Sequence, residues 1–148
     1  MALRDLRRAD YGWNCAIPTR WADGDPYGHV NNVVYLSWFD TAVTRMLYER
    51  GVLARDHHGA IGLCVESHCE YFAPVAFPEA VEGRVRIGRV GSTSLTYEVG
   101  LFIDDREEPV AAGWFVHVFV DRTSRRPAQL TQSARAALGD LLSGSSWT

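Results

Sequence analysis

The sequence predicts an α+β domain in which one long helix is followed by an antiparallel sheet. Three observations carry that prediction. Between Val33 and Arg50, the residues Leu36, Phe39, Val43, Met46 and Leu47 recur at helical spacing and form one strong apolar face. After Gly51, four strand-like runs follow, joined by short turns, with no second helical pattern before Gln129. The last of these runs, Val110–Val120, is apolar on both faces, as a strand packed on each side should be.

Each element has its own justification. Residues 1–11 read as a ragged terminus. Trp13–Arg20 is a short strand, and Pro18 within it demands an edge position or a bulge. A loop rich in Asp, Gly and Pro follows. In the helix after it, Trp38 and Ala42 widen the apolar face, and Asp40 is the only charge on a narrow polar arc with Ser37, Thr41, Thr44 and Tyr48. A surface helix normally carries a wider charged face, so this one should be covered on most sides. Gly51 is its natural C-terminal stop.

In Ile61–Phe72, Leu63, Val65, Cys69 and Tyr71 fall on one side and Glu66, His68 and Glu70 on the other. In Ala80–Val90, Val81, Val85 and Ile87 oppose Glu82, Arg84 and Arg86, the pattern of a half-exposed strand. In Leu95–Ile103, Leu95, Tyr97, Val99 and Leu101 alternate with Thr96, Glu98 and Gly100. Gln129–Leu142 reads as a C-terminal helix before a short tail. A lone sheet with one helix on its inner side leaves its outer face to be covered, and a second subunit is the expected cover.

Composition excludes several classes. A chain of 148 residues is expected to be one domain spanning 1–148, with its core in about 13–130. A net charge of −3 gives no reason to expect nucleic-acid binding. Three cysteines without a CxxC form neither a disulfide framework nor a zinc site, which fits a reducing cytoplasm. The N-terminus lacks the apolar core of a secretory signal. No window approaches the roughly 18 apolar residues of a membrane helix. Expected is a soluble, cytoplasmic protein without a metal or redox cofactor.

The chemistry concentrates in Arg20–Asn32, RWADGDPYGHVNN, which delivers two carboxylates, Asp23 and Asp25, to the start of the long helix. A carboxylate serves as base or nucleophile, and the free N–H groups of a helix N-terminus stabilise a developing oxyanion; acyl transfer needs both. Asp25 before Pro26 also fits a plain Asx turn. Asp23 reads as structural. His29 is either an acid/base or substrate contact or a loop histidine bonded to backbone, and Asn31 either caps the helix or orients water, with capping favoured. His57 and His58 lack a third ligand, and His68 and His117 read as hydrogen-bonded strand residues. There is no GxSxG elbow, P-loop or GxGxxG.

The motif D-x-D-P-x-G-H-V-N-N, the helix YLSWFDTA behind it and the segment CEYFAPVAF resemble the hotdog-fold acyl-CoA thioesterases, in particular the 4-hydroxybenzoyl-CoA thioesterase type. The resemblance implies a curved five-stranded antiparallel sheet wrapped around one long helix, assembled as a homodimer or homotetramer with active sites at the subunit interface. It implies that Asp25 is the nucleophile or general base and that the backbone N–H of Asn32 polarises the thioester carbonyl. Gly28, His29, Asn31 and Tyr35 then belong to the substrate site, and Arg89 with Ser92, Thr93 and Ser94 takes the coenzyme A nucleotide. Coenzyme A enters only as part of an acyl-CoA substrate. Relatives carry an aromatic residue or histidine where this chain has Asn32, so the acyl preference of the aromatic-substrate enzymes does not carry over. Two other readings stay open: a non-catalytic acyl-thioester-binding module, and a dehydratase or hydratase pairing Asp25 with His29.

Overall fold

In the computed structural model, which describes residues 2–54 and 59–143, the predicted elements are all present. They are β1 (Trp13–Pro18), α1 (Asn32–Glu49), β2 (Ile61–Tyr71), β3 (Ala80–Val90), β4 (Ser94–Ile103), β5 (Ala111–Val120) and α2 (Gln132–Leu138). The five strands make one antiparallel sheet in the order β1-β3-β4-β5-β2. Pro18 sits in an edge strand, where its missing N–H costs no ladder bond.

Helix α1 lies on the inner face of the sheet. Tyr35, Trp38, Phe39, Ala42, Val43, Met46 and Leu47 are buried against Val85, Ile87, Leu95, Tyr97, Val99 and Leu101. Leu36 departs from the expected apolar face: it is 38% exposed, as is Val33 at 67%. The helix is capped at both ends. Asn31 Oδ1 accepts the Val33 N–H at 3.0 Å, which settles its capping role. At the other end Gly51, with φ of +72°, donates to Tyr48 O, and Val52 donates to Leu47 O, a complete Schellman motif. Asn31→Ala is therefore expected to cost about 1 kcal/mol of stability, read as a lower urea midpoint at unchanged slope.

Three expectations need correction. The alternation read for β2 fails at its midpoint, because a bulge at Val65 shifts the register between Cys64 and Glu66. A one-residue slip exchanges the two faces. Cys64, paired with His117, and Ser67, paired with Phe115, therefore join Cys69 and Tyr71 on the side facing the helix, while Leu63 turns outward opposite Val118.

The amino terminus is not ragged. Leu3–Asp5 and Arg8–Asp10 form 3-10 turns, and Leu3, Leu6 and Tyr11 are 2–3% exposed in a second apolar cluster with Phe102 and Ala112. This strap covers part of the outer face that the sequence reading assigned to a second subunit. It also explains why β3 is less exposed than its charges imply: Arg86 and Glu98 are buried beneath it as an ion pair, with the Arg86 guanidinium over the Tyr11 ring. Burial pushes the Glu98 carboxyl up, and Arg86 opposes that rise.

The C-terminal helix is also shorter than read. It begins only after Thr131, whose Oγ1 accepts the Ala134 N–H at 3.0 Å, and it passes into a 3-10 turn at Gly139–Leu141. Leu138 and Leu141 nonetheless belong to the main core.

Candidate active site

The loop between β1 and α1 is closed on itself by backbone bonds. Gly24 bridges Val30, Asp25 N–H donates to His29 O at 2.9 Å, Gly28 N–H to Asp25 O at 3.1 Å, and Asn31 N–H to Asp23 O at 2.9 Å. Gly28 makes the tight return possible with φ of +85°, a left-handed conformation that side chains resist. Val30 N–H donates to Val75 O at 2.7 Å and ties the loop to the segment after β2.

Asp23 is 1% exposed. Its carboxylate accepts Arg20 N at 2.8 Å, Nε at 2.9 Å and Nη2 at 2.7 Å. The structural role assigned to it is therefore met: every oxygen is spent on shaping the loop.

Asp25 is different. Its Oδ1 accepts the Tyr27 N–H at 2.9 Å, the bond of an Asx turn, while Oδ2 has no hydrogen-bond partner among the described residues. The turn and the reactive reading coexist on one side chain. Asp25 lines a cleft of about 400 Å³ together with His29, Val30, Asn32, Tyr35 and Tyr71, walled further by Phe72 and Pro74. A second cleft of about 220 Å³ meets Asp25 from the other side, between Trp21, Gly28, His29 and Phe77.

The helix end completes the arrangement. Of the first α1 N–H groups, that of Val33 is taken by Asn31 Oδ1 and that of Val34 by Asn31 O. The N–H of Asn32 has no acceptor among the described residues and lies at the positive end of the helix dipole. Asp25 and Asn32 thus line one cleft, which brings a carboxylate residue to the start of a helix.

Tyr71 lines the cleft as well, a position that sequence reasoning did not assign although the residue stands in the CEYFAPVAF segment. Its hydroxyl donates to Asn32 O at 2.9 Å, and its ring meets Tyr35 edge-on at 5.0 Å between centres. Partial burial pushes the Tyr71 phenol up to about 12, so it stays a donor at neutral pH. Losing this bond should cost about 0.5–1.5 kcal/mol of positioning, roughly a two- to tenfold fall in kcat for Tyr71→Phe. Steady-state kinetics at unchanged melting temperature checks this, and full retention of kcat would deny Tyr71 the role.

Of the residues read as site residues, the structure brings Asp25, His29, Asn32 and Tyr35 to one cleft, with Gly28 on the smaller one. Asn31 flanks it with its side chain committed to the cap. Arg89, Ser92, Thr93 and Ser94 are elsewhere. Ser94 pairs through β4 with Val118, whereas Tyr71 pairs with Ala111 of the same strand, a separation of roughly 23 Å along β5 at strand rise. The Ser92 and Thr93 carbonyls there accept from Leu130 and Phe119.

The strand histidines are hydrogen-bonded as read, whereas of the cysteines, read as buried hydrophobes, Cys64 is exposed. His68 Nε2 contacts Glu70 Oε2 at 2.8 Å and its ring stacks on Trp114 at 4.1 Å. His117 Nδ1 lies 3.0 Å from Tyr97 OH, and desolvation lowers its pKa. Cys15 is buried, and burial pushes the Cys69 thiol up to about 11, which disfavours a thiolate. His57 and His58 lie outside the described residues, among which no cluster of potential metal ligands occurs. Nor is any described helix long and apolar enough to cross a membrane.

The chain belongs to the thioesterase-like superfamily, whose model matches residues 19–138, and with its five-stranded antiparallel sheet packed on α1 it is a hotdog thioester hydrolase. Among solved structures it is similar to the PA5185 protein of Pseudomonas aeruginosa strain PAO1, at 49% identity over 95% of this chain and 98% of that one, with a TM-score of 0.90. It is also similar to PA2801 of Pseudomonas aeruginosa, at 30% identity over 84% and 95% of the two chains and a TM-score of 0.76. The 1,4-dihydroxy-2-naphthoyl-CoA thioesterase of Synechocystis shares the fold at 18% identity, covering 86% and 96%, with a TM-score of 0.77. No curated protein matches the sequence.

Proposed function

We propose that this chain hydrolyses acyl-CoA thioesters with Asp25 as nucleophile or general base. The observation that carries the reading is that Asp25 and Asn32, the first residue of α1, line the same cleft. The thioester carbonyl oxygen takes the Asn32 N–H, which gains strength as negative charge develops on that oxygen. Through the open Oδ2, Asp25 either attacks the carbonyl carbon or removes a proton from the water that does so. In the first route the Asp25–acyl C–O bond forms as the C–S bond breaks, and the coenzyme leaves as its thiolate, which takes up a proton released when water hydrolyses the anhydride. In the second the C–O bond forms to water, and the proton held by Asp25 passes to the departing thiolate. Hydrolysis of an Asp25 mixed anhydride returns the carboxylate in the first route.

A single chain supplies the reacting groups at one end of β5 and carries Ser92–Ser94, with Arg89 beside them, at its other end. In a homodimer or homotetramer these residues serve a substrate bound at the partner's Asp25. β2 supports that arrangement: it is an edge strand of 11 residues whose outer edge pairs with no other strand among the described residues. No resident cofactor is required.

Product analysis by mass spectrometry tests the function. Incubation with saturated and enoyl-CoA thioesters should yield free acid and coenzyme A. Retained intact thioester would identify a binding module instead, and a hydrated acyl-CoA would identify a hydratase.

A further inference from the structure

The amino-terminal strap lies outside the family match, which begins at residue 19, yet its two leucines are buried like core residues while Arg4 between them is exposed. Leu3 and Leu6 are 2% and 3% exposed, and the cluster they form is joined by Phe72. The Arg4 guanidinium sits 5.3 Å from the centre of the Phe72 ring, a distance at which a cation is attracted to the ring face. Phe72 is also a wall of the cleft that holds Asp25.

The chain around Phe72 is held on the core side by Val75, which is buried and accepts the Val30 N–H, and on the other side by the strap. It leaves β2 immediately after Tyr71, and the N–H groups of Phe72 and Ala73 both donate to the single carbonyl of Val110, at 2.8 and 3.1 Å. Tyr71, one residue earlier, carries the hydroxyl bonded to Asn32 O. A contiguous path of contacts therefore runs from the strap through Phe72 and Tyr71 to the helix end.

We propose that the strap is a positioning element of the active site: Leu3, Arg4 and Leu6 hold the Phe72 wall in place and thereby set which acyl groups the cleft admits. The selectivity part rests on the thioesterase reading; the positioning part does not. The strap has its own anchor, independent of Phe72. Arg8 pairs with Glu82 at 2.5 Å and donates to Asp104 O at 2.5 Å and Arg106 O at 3.0 Å. Contacts on Phe72 can thus be removed while the rest of the strap stays docked.

Two variants test this, Arg4→Ala and a chain lacking residues 2–6, each compared with the full chain. Amide hydrogen exchange at Phe72 and Ala73 should quicken at least fivefold, while Val85 and Val99 in the sheet keep their protection. The ratio of kcat/KM between bulky and short acyl-CoAs should shift at least threefold, through KM and with kcat for the preferred acyl group retained. Unchanged exchange at residues 72–73 in folded Arg4→Ala protein overturns the proposal, whatever the truncated chain does. Faster exchange with an unchanged selectivity ratio, in protein that turns over, also overturns it. Absence of turnover in the full chain would instead refute the thioesterase reading, and the exchange measurement would still decide whether the strap holds the wall.

Discussion

Asp25→Asn is expected to lower kcat by about 10²–10⁴-fold, the range attached to a positioned acid–base group. The substitution isolates the chemistry from the fold. An asparagine side-chain oxygen still accepts the Tyr27 N–H that closes the Asx turn, and the loop's remaining bonds are backbone to backbone or run through Asp23. Melting temperature and oligomeric state should therefore match the wild type. What is lost is the open oxygen: an amide neither attacks a thioester nor takes a proton from water. Near-wild-type turnover by folded Asp25→Asn protein would remove Asp25 from the mechanism.

Gly113→Ala should produce the largest loss of stability. Gly113 of β5 faces Cys69 across the β2–β5 ladder, and a β-carbon there would fall on the carbonyl oxygen of His68. The obstacle is backbone, which has no rotamer to yield. Among the described residues β2 is an edge strand paired only with β5, so relief requires it to move away from that partner. The expected cost is about 3 kcal/mol, at the upper end for overpacking, which corresponds to a fall in Tm of roughly 10 °C. Because β2 carries Tyr71, activity should fall beyond the folded fraction. Gly139→Ala provides the contrast: a β-carbon there meets nothing within 4 Å, and the change should stay within about 0.5 kcal/mol. Urea titration of the two variants checks both figures; equal midpoints would contradict this view of the β2–β5 contact.

Much of this was legible in the sequence because it follows from local pattern. The β3 run Ala80–Val90 and the inward set Leu95, Tyr97, Val99 and Leu101 of β4 are where alternation placed them. Asn31 caps the helix and Gly51 stops it. The misses have physical causes. Alternation cannot reveal a bulge, so Val65 reversed half of β2. Leu3 and Leu6 are too sparse to signal packing in a segment otherwise rich in arginine and aspartate, yet they bury fully once the sheet supplies a surface. Arg86 and Glu98 looked like solvent-facing charges, because their burial depends on Tyr11, far away in sequence.

For the site, the loop motif pointed to Asp25 and Asn32, which the structure places at one turn and one helix end. Tyr71 escaped because its contact with Asn32 O joins residues 39 positions apart. The distance between Arg89 and Asp25 escaped for the same reason: it is a property of the sheet order, in which the β3–β4 turn and the end of β2 point to opposite ends.

Free-thiol release by the wild-type protein across short, medium, long, branched and aromatic acyl-CoAs tests the central claim most directly. Selective turnover is predicted, with kcat/KM for the best acyl group at or above about 10⁴ M⁻¹s⁻¹, the lower end for enzymes. No thiol release from any member of the panel, by protein shown to be folded, would contradict it.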